Sequence, residues 1–126
     1  MDRLTTDILV VGSGPAGSTV ARYAAEKGVQ VTFIERRHEV GVPVRCGEFL
    51  PDVDEIRTMF PLADDLEGTF DLPSGMKLVE TDRIRLVNPK NKATDIPMNG
   101  YTIDRDRYDQ YLADEAIRSG ATLIKD

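Results

Sequence analysis

Cysteine is almost missing from this sequence: Cys46 stands alone among 126 residues. An internal disulfide is therefore excluded, and a lone thiol fits a reducing compartment such as the cytosol. Histidine occurs once, as His38, in a charged loop with no visible partner, where it is expected to be exposed. No metal site is expected. Basic surplus is missing too. The formal charge is −6, with no concentrated Lys/Arg patch, so nucleic acid is not an expected partner. Long apolar runs are also lacking. Ile8-Leu9-Val10-Val11 is far too short to span a bilayer, and the N-terminus has no signal-peptide pattern. The expectation is a soluble cytoplasmic protein, with peripheral membrane contact left open.

What is present is a balanced globular composition, 40% hydrophobic and 30% charged, long enough for one modest core. Residues 7–35 carry the clearest pattern. Ile8–Val11 is a β-branched-rich run of the kind buried on both faces of a parallel sheet. Glycines follow, then a helix from about Pro15 to Lys27, with Val20, Ala21, Ala24 and Ala25 as its apolar stripe. Gly28 is placed to stop it, and Val29–Ile34 reads as a second strand ending at Glu35. A strand, a helix and a strand in so short a span predict a right-handed crossover between parallel strands.

Residues 51–100 are irregular and punctuated by proline, and predict a small antiparallel excursion. A short helix is expected over 52–60, with short strands at Lys77–Glu80 and Ile84–Val87. Asn88-Pro89-Lys90-Asn91 reads as a turn leading to a further strand. Order returns over 104–125. Asp104 is a plausible N-cap for a helix to about Ser119, stopped by Gly120, with Tyr108, Leu112 and Ala116 on one face and a strand at Ala121–Lys125. The fold class is α/β: a Rossmann-like βαβ dinucleotide-binding unit with an antiparallel excursion, read over residues 1–126 as one partial N-terminal domain. Too few parallel strands are present for a doubly wound sheet, so an incomplete domain, a missing C-terminal portion or a partner chain is expected.

Gly12-Ser13-Gly14-Pro15-Ala16-Gly17 matches G-x-G-x-x-G. Gly12 permits the tight turn, Gly14 lets the backbone approach a pyrophosphate, and Gly17 allows close packing of helix on sheet. The helix N-terminus offers N–H groups and partial positive charge to phosphates. Three glycines are weak evidence by themselves. The flanking strand, the following helix and Glu35 at the end of the second strand strengthen them, because a carboxylate there can accept ribose hydroxyls. The same carboxylate repels a 2′-phosphate and disfavours NADP. Arg36 and Arg37 are read either as solvated side chains or as phosphate contacts.

NAD dehydrogenases usually continue from the second strand into another helix and strand. This chain continues instead through Pro43-Val44-Arg45-Cys46-Gly47-Glu48, a segment that resembles the geranylgeranyl reductase family of FAD-dependent oxidoreductases. Gly100-Tyr101-Thr102-Ile103-Asp104-Arg105-Asp106-Arg107-Tyr108-Asp109 resembles that family's later arginine followed by an aromatic-Asp pair. The family includes archaeal enzymes that saturate isoprenoid chains of membrane lipids with reduced FAD. The resemblance implies FAD as cofactor and an isoprenoid lipid as substrate. It implies that Ala16 and Glu35 touch the adenosine diphosphate half, and Gly12, Ser13, Gly14, Gly17 and Arg36 complete the set of candidate cofactor-binding residues there. Arg45, Cys46 and Gly47 would lie along the cofactor near the flavin, and Arg105 would be a further contact. Cys46 has two readings: a thiol close to the reacting atoms, hence a candidate catalytic residue, or a small buried apolar side chain. Relatives often carry a small residue where this chain has Phe49, which alters the expected pocket. The alternatives left open are a flavin monooxygenase with another substrate, an NAD-binding dehydrogenase fragment, and a non-catalytic nucleotide-binding module.

Overall fold

The computed structural model describes residues 3–70 and 72–126. The chain divides into two compact units, Met1–Arg45 with Arg105–Asp126, and Cys46–Asp104.

The first unit is a three-stranded parallel sheet in the order β1-β2-β6, formed by β1 (Ile8–Val11), β2 (Val31–Glu35) and β6 (Thr122–Lys125). Both pairings are in regular register, Val10 opposite Phe33 and Phe33 opposite Leu123. Helix α1 (Pro15–Glu26) connects β1 to β2, and α4 (Arg105–Arg118) precedes β6. The core consists of Ala21, Val31, Phe33, Val40, Ala113, Ala116 and Ala121. Small alanines at the helix contact let α1 and α4 approach each other closely over Phe33, which is fully buried. Both helices end in the same way. Gly28 (φ +79) donates to Ala25 O and Val29 to Ala24 O; Gly120 (φ +104) donates to Ile117 O and Ala121 to Ala116 O. These are paired Schellman motifs, with the apolar residue after each glycine tucked against the helix it closes.

Three expectations need correction in this unit. β1 is not buried on both faces: it is an edge strand, and Val11 is 78% exposed. The strand burial expected of β1 belongs to β2, which has a neighbour on either side. Val20 does not join the apolar stripe of α1 and is 53% exposed, whereas Ala21, Ala24 and Ala25 pack inward. β2 starts at Val31 rather than Val29, because Val29 is taken up in closing α1.

The second unit is an antiparallel sheet in the order β3-β5-β4, of β3 (Phe49–Pro51), β4 (Lys77–Val87) and β5 (Ala93–Ile103). The two short strands expected at Lys77–Glu80 and Ile84–Val87 are one long β4, with register irregularities at Lys77/Val79 and Thr81/Arg83. The Asn88 side chain closes the hairpin by accepting from the Lys90 and Lys92 N–H groups, and Asn91 takes φ +59. Helix α2 (Val53–Met59) lies where a helix is expected, capped by Asp52, whose Oδ1 accepts from Glu55 N at 2.8 Å. Helix α3 (Leu66–Phe70) and a 3₁₀ turn at Ser74–Met76 had no clear signal in the sequence.

Candidate dinucleotide-binding site

The glycine turn lies at the C-terminal edge of the parallel sheet, where open α/β sheets bind ligands. Gly12 has φ +98, a conformation other residues adopt at a cost. Gly17 meets a different demand: a Cβ there would lie 1.9 Å from Gly12 O and 3.3 Å from Val10 Cγ1. Gly14 differs again. It is the N-cap of α1 with an ordinary φ of −68°, and a Cβ on it meets nothing within 4 Å. So the protein itself does not need glycine at this position, and the approach to its backbone is open. Among the described residues no side chain caps α1. Pro15 has no N–H, so Ala16 and Gly17 are the first-turn donors that helical carbonyls cannot reach. That arrangement suits a phosphate group.

Glu35 is wired to this turn. Its Oε2 accepts from Ser13 N and Ser13 Oγ, each at 3.1 Å, and its Oε1 accepts from Arg37 N at 3.2 Å. Ser18 Oγ donates to Ser13 O at 2.9 Å and fixes the turn from below. Burial pushes the Glu35 carboxyl up, but the Ser13 and Arg37 hydrogen bonds and the Arg37 charge outweigh it and hold the pKa below the ordinary value. Glu35 is therefore ionised and oriented at neutral pH, with acceptor capacity left for a ribose.

Two cavities flank Glu35. One, of about 520 Å³, is lined by Val11, Gly12, Ile34, Glu35, Arg36 and Arg37. The other, of about 160 Å³, brings Gly14, Glu35 and Arg37 together with Arg45, Arg105 and Asp109. Arg45 and Arg105 thus join the glycine turn, although they lie far from it in sequence. Gly41 and Asp109 also belong here and were not among the residues expected to bind, while Arg37, read either as solvated or as a phosphate contact, lines both cavities. Gly41 has φ +80, and a Cβ on it would come within 3.0 Å of Asp106 Cα and Asp109 Cβ. Only the bare backbone lets this loop lie against α4. Cys46 and Gly47 open the second unit, and the Cys46 thiol is exposed, which removes the reading of a buried apolar side chain. His38 is exposed as expected, but its Nδ1 sits 2.5 Å from Asp126 O. Among the described residues no cluster of His, Cys, Asp and Glu could hold a metal, and no helix is long and apolar enough to cross a membrane.

Comparison with known proteins agrees with this geometry. The NAD(P)-binding Rossmann-like domain family matches residues 10–61. A digeranylgeranylglycerophospholipid reductase of Picrophilus torridus is 35% identical over 93% of this chain and 29% of its own length. The crystal structure of a geranylgeranyl bacteriochlorophyll reductase-like protein from Thermoplasma acidophilum superposes with a TM-score of 0.75 at 34% identity, covering 95% of this chain and 30% of that one. The chain is homologous to the N-terminal part of the geranylgeranyl reductases. An uncharacterised Methanosarcina barkeri protein from the nifH2 5′ region is 38% identical over 94% of this chain and 63% of its own length. The chain thus spans under a third of the length of these two reductase relatives and less than two thirds of this Methanosarcina relative. A flavin-dependent brominase shares its fold alone, at 21% identity and a TM-score of 0.65.

Proposed function

We propose that this chain forms the FAD-binding part of a flavin-dependent reductase that saturates carbon–carbon double bonds of isoprenoid lipids. The observation that carries the reading is the ionised Glu35, tied by Ser13 to an uncapped helix N-terminus beside an open Gly14. That pairing of a ribose acceptor with a pyrophosphate cradle fits the adenosine diphosphate half of a dinucleotide. FAD rather than NAD is favoured by the similarity to geranylgeranyl reductases and by the exit from β2 into a loop and an antiparallel sheet. Bound reduced FAD would supply a hydride to the alkene.

The chain's own residues would bind and orient. Ala16 and Gly17 N–H groups would receive phosphate oxygens, Glu35 the ribose, and Arg36, Arg45 and Arg105 would add positive charge along the cofactor. Cys46 and Gly47 would follow toward the flavin. The relatives named as digeranylgeranylglycerophospholipid reductases supply the substrate class.

The test is titration with FAD and, separately, with NAD, followed by flavin fluorescence and calorimetry. Saturable binding of FAD and none of NAD is expected. Gly14→Val should fold, since a Cβ meets nothing within 4 Å, yet abolish binding by filling the pyrophosphate approach. Glu35→Ala should weaken binding by roughly 1.5–3 kcal/mol, the worth of hydrogen bonds to a charged group. Preference for NAD overturns the cofactor assignment, and unchanged affinity in both variants removes the glycine turn as the site.

A further inference from the structure

Arg105 is the first residue of α4, where the helix dipole penalises a cation. It is held there by Asp109 one turn on. Arg105 Nε donates to Asp109 Oδ1 at 3.0 Å and Nη2 to Oδ2 at 3.3 Å, a side-on bidentate pair. The pair is largely enclosed, with side-chain exposures of 21% for Arg105 and 10% for Asp109. Gly41 lies against the same turn, where a Cβ added to it would come within 3.0 Å of Asp109 Cβ. Tyr108 is buried beside it, with its ring 5.9 Å from the guanidinium carbon. Burying a carboxylate costs free energy, and burial does push the Asp109 carboxyl up, against the opposing pull of Arg105 and with the help of Asp106. A cation against the dipole and a buried anion are both unfavourable alone. Together they fix one guanidinium on the wall of a cavity that also contains Gly14, Glu35, Arg37 and Arg45.

We propose that Asp109 is a positioning residue: it holds the Arg105 guanidinium at the glycine-turn cavity so that Arg105 can meet a phosphate of the bound dinucleotide. The inference rests on the dinucleotide reading above. Asp109 also works against the ligand, because its negative charge repels phosphate. The two effects have opposite signs, and this makes the proposal testable. If positioning dominates, Asp109→Asn weakens binding; if charge dominates, it strengthens it. Among the described residues, Arg37, Arg45 and Glu35 share the cavity with Asp109, and the charge of Asp106 acts on it from the same helix.

The experiment titrates the chain, Asp109→Asn, Arg105→Met and the double variant with FAD, and records the Arg105 Nε–H signal by NMR without ligand. Asp109→Asn and Arg105→Met are each expected to raise the FAD Kd by at least about fivefold, with the double variant no worse than Arg105→Met. The Nε–H signal should be protected from exchange in the wild type and lose that protection in Asp109→Asn. Wild-type affinity should fall as acid neutralises Asp109, and Asp109→Asn should lack that step. Tighter binding in Asp109→Asn, additive losses, or an unchanged Nε–H signal overturns the proposal. A wild-type chain that binds no FAD overturns the cofactor reading and the ligand role of Arg105, and the NMR signal then still reports separately whether Asp109 holds Arg105.

Discussion

β2 and β4 are both rich in apolar side chains, yet Val31, Thr32 and Phe33 of β2 are buried while Leu78, Val79, Leu86 and Val87 of β4 are exposed. β2 is the middle strand of its sheet, and α1 and α4 cover its Val31–Phe33 face. β4 is the edge of an antiparallel ribbon and pairs with β5 alone. On the outer part of that ribbon one face carries Ile84, Leu86 and Ile96, and the other carries Arg83, Arg85 and Asp95. The charged face is internally matched, with Arg85 donating to both oxygens of Asp95 at 2.7 and 2.8 Å. Strand burial follows topological position more closely than strand composition. The parallel unit should therefore respond sharply to small changes in packing, and the ribbon weakly.

The largest effect is expected at Gly17. Alanine there would place Cβ 1.9 Å from Gly12 O, a backbone atom that cannot move without opening the turn. Gly17→Ala should cost more than about 3 kcal/mol, at the upper end of overpacking penalties. Urea denaturation followed by far-UV circular dichroism would measure it. A variant as stable as wild type would mean that helix α1 can lift from the sheet, contrary to the packing described. Phe33→Ala should follow at about 3–5 kcal/mol, because the ring is fully buried between alanines too small to close the space. A loss below 1 kcal/mol would remove the distinction between β2 and β4 on which the comparison rests.

A smaller effect, confined to acid, is expected at Glu35. Its folded pKa lies below the ordinary glutamate value, because the Ser13 and Arg37 hydrogen bonds outweigh the opposing burial. A carboxylate depressed by folding stabilises the fold above its unfolded pKa, and that contribution is lost as pH falls through the folded value. Wild-type stability should therefore decline from the ordinary glutamate range downward more steeply than that of Glu35→Gln. Denaturation midpoints across that range would show it, and parallel curves would detach Glu35 from the turn.

How much of this was readable beforehand follows the same division. The first unit was legible because its signals are local: glycines at fixed spacing, Gly28 and Gly120 after their helices, and Tyr108, Leu112 and Ala116 at helical intervals, all three buried. The edge position of β1 was not, because it depends on which strands flank it. β4 was read as two pieces because Thr81-Asp82-Arg83 interrupts the apolar pattern, and a ribbon with little buried face need not keep that pattern. In the site, Gly12, Gly14, Gly17 and Glu35 carry a motif. Gly41 carries none, and Asp109 stands in the segment with Arg105 and Tyr108 without any sign that it meets Gly41: a loop meets a helix there across more than sixty residues of chain, and no spacing rule reaches that far.

Leu86 gives the smallest expected effect and the counterpart to Phe33. It is 54% exposed, and its register partner across the ribbon is Thr94. Leu86→Thr keeps a residue suited to a strand and gives up little burial, so the change should stay within about 0.5 kcal/mol. The same denaturation measurement applied to this variant decides whether the apolar face of the ribbon contributes to the stability of this chain. A loss of several kcal/mol would mean that Leu86 is covered in solution, and burial in β4 would then have to be explained by something other than its place at the edge of the sheet.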